Sequence, residues 1–219
     1  MRGLLLIICA ISAAQGNPVS SSNEQGVNYK KQAQTLLKNI ETIQKDMKEV
    51  VEQGKVIQEE LHESRNKIFT VINENPLVLE MKETLLKSEN QEKVGECQQQ
   101  LDNKLYWLGV NLRQHLTDDV ESNLKALELT KLIMDSELEE IKRDLKNNLE
   151  NNQDPCTKGD TSCDTIGAYV DKIEEGLQIV DLIKTQVPNM INNVLDYLAT
   201  AVVPKQIPEI QESVDKCMK

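Results

Sequence analysis

The chain has 219 residues, a net charge of −11 and an aromatic content of 3%. With so few rings, Leu, Ile, Val and Met must build the core, and high charge with helical periodicity points to a bundle or coiled coil. Residues 28–72 carry eight Lys or Arg against seven Asp or Glu, whereas residues 73–219 carry 16 against 28. That imbalance excludes nucleic-acid recognition, which needs clustered cations, and adsorption to anionic lipid; taken as a whole it suits a basic partner.

The first sixteen residues open on Arg2, continue through the apolar run Leu4 to Ile11, and close on Ala14-Gln15-Gly16. A basic start, a short apolar centre and small residues at the exit form the pattern of a cleaved secretory signal peptide, 1–16. The run is too short to span a hydrocarbon core of ~30 Å. No later stretch is apolar enough to halt transfer, so the expected protein has no transmembrane segment and is secreted and extracellular. Residues 17–27, with Ser20-Ser21-Ser22 and Gly26, read as a disordered lead-in to a single helical domain over 28–219.

A helix is expected over about 28–73. Its apolar positions Ala33, Leu36, Ile40, Ile43, Met47, Val50, Ile57, Leu61, Ile68 and Val71 advance by steps of three and four, with Gly54 and Ser64 on the same stripe. This is a sustained heptad pattern, and the stripe of residues 33–71 would also allow self-association between chains. Asn73-Glu74-Asn75-Pro76 ends the helix, because the residue before proline leaves the helical region. A second helix is expected over 77–116 on the stripe Val94, Cys97, Leu101, Leu105, Leu108, Leu112 and Leu116, weakest between Lys87 and Glu96. Thr117-Asp118-Asp119 reads as a break, with Asp118 capping a third helix over 118–152 and Glu121 answering it. A loop from Asn151 to Cys163 precedes a fourth helix over 164–203, kinked at Pro188. Pro204 and Pro208 end that helix, and a short turn over 208–217 follows.

Long helices joined by short turns predict an all-α fold, an antiparallel bundle with coiled-coil-like heptads. The alternative is an elongated helical hairpin, formed if Thr117-Asp118 does not break the chain. Four cysteines remain after Cys9 is lost with the leader, an even number that reads as two disulfides. Facing residues of an antiparallel hairpin have numbers that add to a constant. The pairs Cys156–Cys163 and Cys97–Cys217 agree on that constant to little more than a turn, which favours this pairing. No Asn-x-Ser/Thr sequon occurs, so no N-glycosylation is expected.

Nothing assembles a catalytic, cofactor-binding or metal site. Glu59-Glu60-Leu61-His62 holds one Glu-x-x-His spacing, but di-metal carboxylate bundles need two, and His62 flanks the core position Leu61. His115 lies at a stripe edge. Asp118-Asp119 and Glu137 to Glu140 read as solvated helix faces, and Cys156 and Cys163 are too few for zinc. The chain therefore reads as non-enzymatic and cofactor-free. One stretch, Leu177 to Val203, is apolar on more than one face; it is either a central bundle helix or a surface for lipid or a partner helix, with Ile179, Leu182, Ile183, Met190 and Leu195 as candidates.

The leader Met1 to Gly16, the acidic aromatic-poor heptads and four cysteines in the C-terminal two-thirds together resemble the small secreted helical proteins of insect saliva and haemolymph. That resemblance implies a salivary or haemolymph effector that binds a host or self extracellular protein or a cell surface. A second likeness is to exchangeable apolipoproteins, which implies a lipid or hydrophobic-ligand carrier; clearance of phospholipid vesicles would mark such a carrier.

Overall fold

A computed structural model describes residues 29–88, 90–150 and 162–219. Among these residues all regular structure is helical: α1 (Tyr29–Ser64), α2 (Lys67–Asn73), α3 (Pro76–Leu86), α4 (Gln91–Glu150), α5 (Ser162–Gln186), a 3-10 turn (Val187–Asn189), α6 (Met190–Tyr197), a π-helical turn (Leu198–Val202) and α7 (Val203–Met218). The packing is that of an all-α antiparallel bundle. No described helix is long and apolar enough to cross a membrane. The leader 1–16, the lead-in 17–27 and the loop carrying Cys156 lie outside the described residues.

Four boundaries differ from the sequence reading. The first helix breaks at Arg65-Asn66. There the Phe69 N–H turns to the Asn66 carbonyl at 3.3 Å, and the Arg65 carbonyl accepts instead from Arg113 Nε at 3.1 Å. The second reading, 77–116, divides inside its polar section: α3 starts at Pro76, where Asn75 Oδ1 accepts from the Leu77 N–H at 3.0 Å, and ends at Leu86. Thr117-Asp118 is no break, and α4 runs through it for 60 residues. The Thr117 hydroxyl bonds back to the Arg113 carbonyl at 2.9 Å, Asp118 accepts from Gln114 Nε2 at 2.8 Å, and Leu112, Leu116 and Val120 stay in phase, fully buried. A capping signal loses where the apolar stripe continues beneath it.

Pro204 and Pro208 do not end the last helix either. Pro188 is taken up by the 3-10 turn, and the wider π-helical turn lies just before Pro204, which falls in the first turn of α7, where a missing N–H costs no bond. Pro208 lies inside α7, at a cost of about 3 kcal/mol. Against this, Val203, Ile207, Ile210 and Val214 are buried at helical spacing, and each contributes about 1.5–3 kcal/mol, so packing wins.

The described chain divides into two compact units that share α1 and α4. The first combines residues 29–54 with 123–187. Gln44 Nε2 donates to Glu139 Oε1 at 2.9 Å, and a Cβ on Gly54 would stand 3.0 Å from Leu124, so α1 and α4 run antiparallel. Tyr169 donates to Asp144 at 2.9 Å and Gly176 faces Met134, which sets α5 antiparallel to α4. Gly176 against Ile43 and the ion pair Lys184–Asp46 at 3.0 Å together set α5 parallel to α1. The core between them is aliphatic, with Ile40, Ile43, Met47, Leu145 and Ile173 nearly inaccessible.

Gln44 and Lys142 hold the Glu139 carboxyl below its usual value, the hydrogen bond from Gln44 contributing most. A depressed folded-state value means that this stabilisation is complete above the ordinary carboxylate range and disappears as pH falls through it. Glu139 is exposed, so the effect is less than about 1 kcal/mol. Glu139→Gln should lower the urea midpoint slightly at pH 7, by an amount that shrinks as pH falls through the lowered Glu139 value; a difference that does not shrink in acid would contradict this.

The second unit combines residues 55–122 with 188–219. α3 packs on α7, and Cys97 of α4 is joined to Cys217 of α7, with Cα atoms 5.7 Å apart. Arg65 and Asn66 lie against Arg113, and Phe69 against Gly109, so α4 again runs antiparallel to the chain of α1 and α2. The heptad stripe from Ala33 to Ile68 is spent within the chain: its apolar members are buried, Gly54 and Ser64 with them. Val71, half-buried, yields the stripe's last core place to Ile72. Of the stripe's members only Val71 keeps partial exposure.

Candidate interaction surface

The candidate residues of the stretch Leu177 to Val203 do not share one exposed face. Ile183, Met190 and Leu195 are buried in the cores of their units, Ile179 is half-buried, and Leu182 is exposed. Those three are corrected to core positions, because α5 and α6 each contribute an apolar face to a bundle and little of that face remains outside. His62 and His115 are both exposed. Among the described residues no group of His, Cys, Asp or Glu is placed to hold a metal ion. The Cys97–Cys217 bridge is formed; the Cys156–Cys163 pairing lies outside the described residues.

A hollow along α4 between Leu132 and Glu150 is lined by residues of that helix alone, with Asp135, Glu139 and Glu140 interspersed with Lys142, Arg143 and Lys146. Opposite charges spread along one helix describe a solvated face. On the same helix Leu129, Leu132 and Ile133 are exposed.

The feature that stands out is aromatic. The chain holds one Trp, one Phe and four Tyr, and the Trp, the Phe and one Tyr meet in the second unit. At about 100° per residue, the buried Leu105 and Leu108 leave Tyr106 and Trp107 both about 130° from the core direction, on opposite sides of α4. Tyr106 is 55% and Trp107 63% exposed. The Tyr106 ring lies 6.4 Å from Phe69 at an interplanar angle of 26°, and Trp107 meets its edge at 5.6 Å and 75°. Both geometries are favourable for aromatic pairs.

This mount is rigid for three reasons. Gly109 clears space for Phe69, since a Cβ there would come within 2.4 Å of the ring. The Arg113 guanidinium covers Phe69 at 4.3 Å, a cation–π contact. Arg113 also donates through Nη2 to Asn66 Oδ1 at 2.8 Å and through Nε to the Arg65 carbonyl, while Arg65 Nε donates to Thr117 Oγ1 at 3.2 Å. The break between α1 and α2 is therefore clamped by the helix that bears the rings. Gln100, Asn103, Asn111 and Gln114 form an exposed amide surround, and Lys104 adds one cation.

Rigid Trp and Tyr rings beside Arg, with adaptable amides around them, are what dominates binding energy at protein interfaces. Sequence reasoning passed over these residues because it followed the leucine stripe. The available signal was that Tyr106 and Trp107 fall out of phase with Leu101, Leu105, Leu108 and Leu112. The class defined by fold and surface is thus an all-α bundle presenting a braced aromatic pair. No protein-family model, curated protein or solved structure matches the chain.

Proposed function

We propose that this protein is a secreted, non-enzymatic helical factor that binds an extracellular protein or cell surface, as a salivary or haemolymph effector acting on a host or self target. The N-terminal pattern Arg2 to Gly16 and the disulfide between Cys97 and Cys217 support export to an oxidising compartment. The observation that carries binding is the exposed Tyr106–Trp107 pair, seated on Phe69 and held by Gly109 and Arg113. In a chain so poor in rings, two exposed ones on a preorganised mount cost little further order when a partner lands.

The test is saturable binding of the purified protein to candidate extracellular proteins and cell surfaces, repeated with Tyr106→Ala, Trp107→Ala and, as a control, Leu86→Ala, whose side chain is 71% exposed. The ring variants should lose about 30-fold or more in affinity with unchanged thermal midpoints, and the control should stay within about twofold. Binding indifferent to both ring variants would remove the proposal.

The carrier reading draws on the exposed Leu129, Leu132 and Ile133. It requires the helices to open their buried faces, and in the second unit the Cys97–Cys217 bridge opposes this.

A further inference from the structure

The two arginines of the clamp have a property that aromatic packing does not explain. Carboxylates outnumber cations by 36 to 25 in this chain, and elsewhere Lys131, Lys142 and Lys184 each sit against one. Among the described residues neither Arg65 nor Arg113 meets a carboxylate. The Arg113 contacts are a backbone carbonyl, the Asn66 amide oxygen and the face of Phe69; the Arg65 contact is the Thr117 hydroxyl. Every acceptor is neutral. A guanidinium has five N–H donors, and these contacts use two on Arg113 and one on Arg65, which leaves donors on both residues. Both side chains are half-buried, where a charge is felt more strongly than in open water. Along α4 the acidic side chain nearest Arg113, Asp118, accepts from Gln114; Glu63, two residues before Arg65, is exposed.

We propose that the partner engages this surface through an acidic segment, with its carboxylates on Arg65 and Arg113 and an apolar side chain against Tyr106 and Trp107. The inference rests on the binding role proposed above and names the partner's chemistry. Planar guanidinium donors match a carboxylate in two parallel hydrogen bonds. The neighbouring rings add what a free inorganic anion has no use for. A long polyanion such as a sulfated glycan would meet the acidic surface beyond the site, whereas a short acidic segment carries only the charge that two arginines accept. The net charge of −11 alone would predict a basic partner. The two arginines, whose contacts are all to neutral groups, point the other way at this surface and would orient a landing partner.

Trp107 is the single tryptophan, so its emission reports occupancy of the site directly. Two pools of synthetic peptides serve as probes: one alternates Glu or Asp with Leu or Ile, and the other replaces each acid by its amide. The acidic pool should change Trp107 emission saturably, more weakly as salt rises, and bind about 10-fold or more tightly than the amide pool. Arg113 takes up the freed backbone carbonyl and the Asn66 amide oxygen, whereas the Arg65 side chain makes one clamp contact, to the Thr117 hydroxyl, so Arg65 carries the mutational test. Arg65→Gln should reduce affinity for the acidic pool about 10-fold and Arg65→Lys less, both with unchanged far-ultraviolet circular dichroism. Equal binding of the two pools, indifference to Arg65→Gln, or equal competition by inorganic sulfate or a sulfated oligosaccharide would overturn the inference. In the first two cases, loss of binding in Tyr106→Ala would show that the surface itself still stands. No emission change with either pool overturns the acidic segment, and the ring variants above then decide the surface separately.

Discussion

Replacing Cys97 and Cys217 together by alanine is expected to cost about 3–5 kcal/mol. The bridge spans 120 residues of sequence, and closing so long a loop removes much of the freedom of the unfolded chain. Alanine is preferred to serine because Cys97 is fully buried, where a hydroxyl without a partner adds its own penalty. The loss should be local first. Backbone amides of α7 and of α4 around Cys97 should exchange faster, because α7 then relies on non-covalent packing, chiefly of Val203, Ile207, Ile210 and Val214, while amides of residues 29–54 change least. Urea denaturation and hydrogen exchange measure both parts. A variant as stable as the parent, with unaltered exchange in α7, would mean that the bridge constrains nothing.

Gly109→Ala is the second large effect, and its sign runs against helix propensity. Alanine in a helix interior is favoured over glycine by about 1 kcal/mol. Here its Cβ would stand 2.4 Å from Phe69 Cε1 and 2.8 Å from Cζ, so the ring must leave its place between Gly109 and Arg113. Overpacking of this kind costs about 1–3 kcal/mol, and displacing Phe69 also unseats Tyr106. Net destabilisation of up to about 2 kcal/mol is expected, together with weaker partner binding. A double-mutant cycle separates the causes: in a Phe69→Leu background the slimmer side chain can move aside, and Gly109→Ala should become neutral or stabilising. Destabilisation of equal size in both backgrounds would place the strain elsewhere. Gly54 supplies the contrast, since its added Cβ meets only the flexible tips of Leu124 and Leu127.

What the sequence showed and what it hid divide by the distance between cause and effect. The stripe from Ala33 to Ile68 is periodic within itself, so nearly every member expected in the core is there. Pro76 acts on its own neighbour, and that boundary fell at Asn75 as expected. The break at Arg65-Asn66 was not legible because the group that satisfies its freed carbonyl, Arg113, lies 48 residues from Arg65. The Thr117-Asp118 signal misled because capping potential is local, while the choice to cap or continue is made by Leu116 and Val120 against the core. Pro208 misled in the same way, its local cost outweighed by the face it rides on. The binding surface was half legible: Tyr106 and Trp107 could be seen to fall off the stripe, but nothing near them in sequence says that Phe69 stands behind them.

The bend between α1 and α2 is conditional on a distant part of the chain. No proline or glycine lies at Arg65-Asn66, and Asn66 makes no side-chain cap of its own; the carbonyl freed there is satisfied by a residue of α4. Bend and docking are therefore two sides of one contact: the carbonyl that the bend releases from α1 is the one that Arg113 of α4 takes up. Whatever weakens the hold of α4 on this segment leaves a half-buried carbonyl without its partner and loosens the seat of Phe69 with it.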